Sequence, residues 1–182
     1  GGAGLQSLPL LKTNRTETQV TAPAPFFYLA CKRLLDMVVA ALVLLLLSPV
    51  LAVVALLIRA TDGGPALYWQ RRAGLRGRAF DMPKFRSMVV NADALRASLA
   101  QGNQHGQAGI TFKIKRDPRI TWIGRIIRRL SIDELPQLWC VLRGDMTLVG
   151  PRPALCAEVD RYGAGDRIRL SVKPGLTCIW QV

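Results

Sequence analysis

The chain carries one histidine, His105, and four cysteines, Cys31, Cys140, Cys156 and Cys178, no two of them spaced as C-x-x-C. A structural zinc site therefore has no sensible ligand set, and scattered unpaired cysteines fit a reducing compartment. Neither a P-loop nor a dinucleotide-binding glycine fingerprint occurs, so nucleotide binding by those two routes has no support. There is no secretory signal pattern and no initiator Met, and Gly1-Gly2 reads as an expression scar or as the edge of a fragment. Acids are scarce: 12 Asp and Glu stand against 25 Lys and Arg, for a net charge of +13. Aromatic residues make up 7%, and the four Trp and three Tyr lie in apolar contexts rather than as stackers on a basic face, which sets nucleic acid aside as a partner.

What is abundant is positive charge and apolar surface. A pI near 10.6 implies an anionic partner, either a phosphorylated small molecule or an anionic membrane lipid surface. Half of the residues are hydrophobic and the mean hydropathy is +0.21, a combination that favours the membrane surface. The length of 182 residues suits one compact domain with a real core.

Residues 1–25 are polar, Thr-rich and aperiodic, and read as a flexible arm or linker. From Met37 to Ile58 the chain is almost wholly apolar, about 22 residues, enough to span a bilayer. Ser48-Pro49 falls near the middle, where a proline removes a helical hydrogen bond. Lys32 and Arg33 precede the run and Arg59, Arg71 and Arg72 follow it, which places both flanks on the cytoplasmic side. A re-entrant helix over residues 26–60, broken at Ser48 and Pro49, meets both facts. The competing reading is an ordinary kinked transmembrane helix.

Leu67 to Gln70 and Ala79 to Phe85 flank a Gly74-Leu75-Arg76-Gly77 turn and are predicted as a hairpin. Asn91 to Gln101 is predicted as a helix capped by Asn91, followed by a Gly/Gln loop in which His105 is most simply solvated. Ile120 to Leu130 shows a 3.6-residue period through Ile120, Ile123, Ile127 and Leu130, with Trp122, Ile126 and four arginines alongside. Such a helix lies in a membrane interface or packs on a core with its arginines solvated; the pattern leaves both open. A second helix is expected from Asp133 to Leu142, stopped at Gly144. Met146 to Val149 reads as a buried strand, and Gly150-Pro151-Arg152-Pro153 as a stiff loop presenting one arginine.

Asp133 and Glu134 are adjacent carboxylates directly after Arg128 and Arg129 in a chain poor in acid. One reading is structural: Ser131-x-x-Glu134 fits a capping box. The other is chemical. A carboxylate, ionised at neutral pH, can attack a phosphoryl group. Its neighbour can hold a Mg²⁺ ion, which suits oxygen ligands and diphosphates, and Arg128, Arg129 and Arg152 can grip phosphate oxygens bidentately.

From Lys32 to Val182 the chain resembles the bacterial sugar transferase family, the monotopic phosphoglycosyl transferases that act on polyprenol phosphate. The resemblance rests on Lys32-Arg33-x-x-Asp36, Ser48-Pro49 within the apolar run, Gly64-Pro65, Gln70-Arg71-x-x-Gly74, Lys84-Phe85-Arg86-Ser87-Met88, Asp117 to Thr121, Ser131 to Gln137, Gly144-Asp145-Met146, Val149 to Pro153 and Lys173 to Thr177, in that order. It implies an α+β fold: a membrane-embedded helix-break-helix with a small cytoplasmic α/β catalytic domain, residues 61–182, bearing amphipathic interfacial helices. It further implies a ping-pong enzyme at the cytoplasmic face of the bacterial inner membrane. Asp133 would take a phospho-sugar from a UDP-sugar, release UMP, and pass the phospho-sugar to polyprenol phosphate, the first step of glycoconjugate assembly. Glu134 is implied as the Mg²⁺ ligand, and Arg128, Arg152, Lys84 and Arg86 as phosphate-binding groups. The sugar is not specified, and a homo-oligomer is left open.

Departures from the family pattern are Cys140 in place of an Asn, Cys178 in place of a Gly, and Pro83 before Lys84. Family chains continue past Gln181-Val182, so a further C-terminal tail is expected. A non-enzymatic basic module anchored on anionic lipid would explain charge and greasiness equally well, but not Asp133-Glu134 or the Gly150 to Pro153 loop.

Overall fold

A computed structural model describes residues 25–92, 94–95, 117–163 and 165–178. The N-terminal arm, most of the helix expected from Asn91 to Gln101, the His105 loop and the final residues lie outside the described residues. The architecture is α+β. One helix, α1 (Phe26–Asp62), runs for 37 residues and ends at Gly63 in the left-handed conformation. A hairpin follows, β1 (Leu67–Ala73) and β2 (Ala79–Phe85), then helix α2 (Trp122–Arg129), a 3₁₀ turn (Ile132–Gln137) and helix α3 (Leu138–Arg143). The remainder comprises β3 (Thr147–Val149), β4 (Ala154–Leu155), α4 (Cys156–Val159), a 3₁₀ turn (Asp166–Ser171) and β5 (Gly175–Thr177). The strands form one sheet ordered β2-β1-β4, antiparallel throughout, and a parallel pair β3-β5.

The break expected at Ser48-Pro49 is not a break in the element: α1 continues through Pro49. Pro49 has no N–H for the carbonyl of Leu45, four residues back. Ser48 Oγ donates to that carbonyl at 2.7 Å instead, so the serine serves the acceptor that the proline leaves open.

Two apolar clusters hold the domain, and α1 contributes to both. Ala40, with Val43 and Leu44 beside it, packs on Phe80, Met82, Leu138 and Met146; Val54 and Ile58 pack on Phe85, Ile123 and Ile127. Much of the rest of α1 is uncovered, with Leu45 71% and Leu46 73% exposed. Among the described residues it is the one helix long and apolar enough to cross a membrane. A core helix of this composition would be mostly buried.

The basic start of α1 is docked rather than solvated. Arg33 donates to the Val141 and Leu142 carbonyls at 2.5 and 2.7 Å, the last carbonyls of α3, where a cation suits both the orphan acceptors and the helix dipole. Buried Asp36 accepts from Lys32 at 2.8 Å and from Thr147 Oγ1 at 2.5 Å. At the other end of α1, Asp62 pairs with Arg86.

Two of the three family departures find local reasons. Pro83 sits on β2, an edge strand, where a missing N–H is tolerated. Cys140 is fully buried, donates weakly to the Asp81 carbonyl at 3.6 Å, and burial pushes its thiol up to about 11; it behaves as a small core residue.

Candidate active site

The hairpin sets one wall of the site. In β2, Phe80 and Met82 on one face and Phe85 on the other enter the two apolar clusters, and Lys84 lies at the cavity edge. Arg86 follows directly. The opposite wall is the 3₁₀ turn that holds Asp133 and Glu134, and α2 closes one side with Arg128. These five side chains, with Tyr68, Gln70, Ser87 and Ser131, line a cavity of about 550 Å³, within the range of small-molecule sites.

The local backbone follows from its residues. Thr121 caps α2, its hydroxyl accepting from Gly124 N–H at 2.9 Å. Gly124 is required: a Cβ there would lie 2.0 Å from the Ser87 carbonyl oxygen. That close approach lets Arg128 Nε donate to Ser87 Oγ at 2.7 Å. Pro136 denies the segment an α-helical N–H, and the first six residues after Ser131 wind as 3₁₀ before α3 begins.

The capping-box reading of Ser131 and Glu134 is overturned. Ser131 adopts φ 56° and makes no side-chain cap bond. The Glu134 carboxylate instead receives Lys84 Nζ at 2.9 Å. Left-handed backbone in a non-glycine residue is costly and concentrates at functional sites. Asp133 is half-buried, and burial, with the charge of Glu134 second, raises its carboxyl above the usual carboxylate range; Lys84 and Arg128 pull the other way.

Each arginine of the sequence reading has a distinct setting. Arg86 pairs with Asp62 yet keeps its Nε and Nη1 buried without a hydrogen-bond partner. Arg152 does not line the main cavity. It borders a small cleft on the far side of the Lys84–Glu134 pair, with Arg72 and Gln137. Its loop is fixed from three sides: Gly150 N–H donates to Thr177 O at 3.0 Å, Gly175 N–H to Pro151 O at 2.9 Å, and Arg72 Nη1 to Pro153 O at 3.1 Å. A Cβ on Gly175 would meet Gly150 backbone at 2.1 Å, so this clasp depends on both glycines. Arg129, the third candidate, is not among the cavity residues.

Sequence reasoning missed Arg72, Gln137 and Ser87 as site residues. Ser87 and Gln137 lie inside the matched stretches, so position was available but role was not; Arg72 fell on an unassigned position between Arg71 and Gly74.

The donor set fits magnesium. Asp133 and Glu134 offer hard oxygen ligands side by side; burial first and the charge of Glu134 second raise the Asp133 pKa, and a cation held between them would offset the second. Among the described residues no three His, Cys, Asp or Glu converge. A Mg²⁺ ion completed by substrate phosphates needs only one or two carboxylates.

The structure thus joins an exposed apolar helix, long enough to cross a membrane, to a basic α+β domain in which paired carboxylates face cationic side chains across a cavity. A family model described as bacterial sugar transferase matches residues 27–182, and the chain belongs to that family. It is similar to galactosyl transferase CpsE of Streptococcus agalactiae, 45% identical over 157 residues, 86% of this chain and 34% of that protein. It is also similar to UDP-glucose:undecaprenyl-phosphate glucose-1-phosphate transferase of Caulobacter vibrioides, 45% identical over 156 residues, 83% of this chain and 53% of that one. Exopolysaccharide production protein ExoY of Sinorhizobium fredii is 39% identical over 153 residues, 83% of this chain and 68% of its own length. The chain thus spans about a third to two thirds of these curated relatives.

Proposed function

We propose that this protein transfers a phospho-sugar from a UDP-sugar to a polyprenol phosphate such as undecaprenyl phosphate, at the cytoplasmic face of the bacterial inner membrane, as an opening step of exopolysaccharide or related glycoconjugate synthesis. The observation that carries the reading is the cavity in which Asp133 and Glu134 face Lys84, Arg86 and Arg128. The names of the relatives supply the substrate classes.

In the proposed reaction an Asp133 carboxylate oxygen attacks the sugar-bearing phosphorus. The new O–P bond replaces the bridging P–O bond, whose electron pair leaves with UMP. Polyprenol phosphate then attacks the same phosphorus and releases the carboxylate. Lys84, Arg86 and Arg128 hold phosphate oxygens and offset their charge. Asp133 and Glu134 would hold Mg²⁺, which neutralises diphosphate charge when bound.

The monotopic arrangement is part of the proposal. Both ends of α1 are tied to one domain, Arg33 to α3 and Asp62 to Arg86. A straight span of the bilayer would carry them about 30 Å apart on opposite sides. On α2, Ile123 and Ile127 are buried, whereas Trp122, Ile126 and Leu130 form an exposed apolar row beside Arg125 and Arg129; this suits the membrane interface.

The test is a half-reaction. UDP-sugar alone should yield UMP in an amount matching the enzyme, and intact mass should show an added hexose phosphate. Asp133→Asn should abolish both. UMP release that needs polyprenol phosphate would establish direct transfer instead.

A further inference from the structure

The small cleft beyond the Lys84–Glu134 pair has no role in the reaction as described so far. It is lined by Arg72, Lys84, Glu134, Gln137, Arg152 and Leu176, among others, with room of about 30 Å³. That is the space of one or two oxygen-sized atoms, too small for a nucleoside or sugar.

Its polar side chains are donors in Arg72, Lys84, Gln137 and Arg152, with Glu134 as the one carboxylate. Arg72 is buried, 8% exposed, and no carboxylate lies within ion-pair distance of it among the described residues. Its guanidinium is held by Gln70 Oε1 at 2.7 Å and by the Pro153 carbonyl. Gln137 is 3% exposed, and its buried Nε2 has no hydrogen-bond partner. A buried amide donor left unpaired costs stability, and a buried cation beside Arg152 and Lys84, answered by Glu158 and Glu134 only beyond ion-pair distance, costs more. A water molecule would satisfy the amide but leave the charge. An anionic oxygen answers both.

We propose that Arg72, Gln137 and Arg152 form an anion subsite that takes an oxygen of the phosphate departing with UMP. The assignment rests on the transferase reading. A diphosphate then straddles the Lys84–Glu134 pair, its sugar-bearing phosphate beside Asp133 in the main cavity and its other phosphate in the cleft. Gln137 contacts substrate directly. Arg72 both contacts it and, through Pro153, positions Arg152.

The test uses Gln137→Leu, which keeps volume but removes the donor, in the full chain in detergent or nanodiscs. UMP affinity by calorimetry should fall about tenfold or more, as for loss of a charge-assisted hydrogen bond. The Tm should hold or rise, because an orphaned donor has gone. Gln137→Glu places a carboxylate where the ligand oxygen goes; it should raise the Tm and weaken UMP further. UMP affinity within twofold of wild type in Gln137→Leu, or a lower Tm in both variants, overturns the subsite. The subsite and the transferase reading fail separately: if wild type shows the Gln137-dependent UMP binding but releases no UMP from any UDP-sugar, the subsite stands and the transferase reading falls.

Discussion

Lys84 Nζ sits 2.9 Å from Glu134 Oε1, bridging the edge strand of the hairpin and the 3₁₀ turn that carries the carboxylate pair. Glu134 is thereby aimed across the cavity rather than back at its own backbone, and any metal there must share the carboxylate with Lys84. Under the proposed function, UMP release should require Mg²⁺. Glu134→Gln should raise the Mg²⁺ concentration for half-maximal rate at least about tenfold and cut turnover sharply, since it removes the charged ligand while keeping shape. Lys84→Met should move the Mg²⁺ requirement downward while raising KM for UDP-sugar. Full activity in chelator would sink the metal role.

Asp133 carries a raised pKa, caused first by burial and next by Glu134. In the metal-free protein the Asp133 carboxyl should therefore titrate above the ordinary carboxylate range near ~4, and added Mg²⁺ should bring that titration down. Glu134→Gln removes a neighbouring negative charge and should shift the metal-free titration to lower pH. Linkage gives a second readout. A carboxyl that binds its proton more tightly folded than unfolded loses stability as pH rises from its unfolded value through its folded one. Ionised Asp133 therefore lowers stability at neutral pH, and Asp133→Asn should be inactive yet raise the Tm there, with the gain vanishing in acid. A Tm that drops at neutral pH would contradict the burial argument.

Arg152 is exposed on a loop fixed by Gly150, Gly175 and Arg72. Its backbone is held, so the side chain's fork is what a phosphate would meet. Arg152→Lys keeps charge but loses bidentate geometry. The expected loss in kcat/KM is at least about tenfold, roughly 1.4 kcal/mol. A near-normal lysine variant would assign the loop a purely structural role.

The sequence made the elements legible where one period dominated. The hairpin was anticipated from its two strands and glycine turn, and the C-terminal stop of α3 from Gly144, which takes φ 94°. Asp133, Glu134, Lys84, Arg86 and Arg128 were expected in one site and share one cavity. Misreadings arose where a residue had two options. The helix expected from Asp133 begins as 3₁₀ because Pro136 lacks an N–H, and Glu134 chose Lys84 over the cap because β2 brings an ammonium within reach. The apolar period along α2 ran on to Leu130 and left core and membrane interface open; Ile123 and Ile127 are buried, whereas Leu130 is 61% exposed, since the core beneath ends at Ile127. Arg72 and Gln137 could not be found from local pattern: their meaning lies in a cleft assembled from the hairpin, α3's approach and the Arg152 loop, contacts distant in sequence.

Arg33 and Asp62, near the two ends of α1, are both bound to the same domain, one at the end of α3 and the other at Arg86. Cysteines introduced near residues 34 and 62 should both be labelled from the cytoplasmic side; accessibility from opposite sides would refute the re-entrant reading. Ser48 and Pro49 act as a unit in this view. Pro49→Ala restores a donor to the Leu45 carbonyl and should favour full spanning, exposing one flank to the other side. Ser48→Ala leaves that carbonyl unserved in an apolar setting, at a cost of about 1–3 kcal/mol, so it should lower stability in nanodiscs without changing which side the flanks face. Combining Ser48→Ala with Pro49→Ala should recover the stability, because the second substitution supplies the backbone N–H that makes the serine hydroxyl dispensable. A double variant as unstable as Ser48→Ala alone would show that the hydroxyl serves something other than the acceptor freed by the proline.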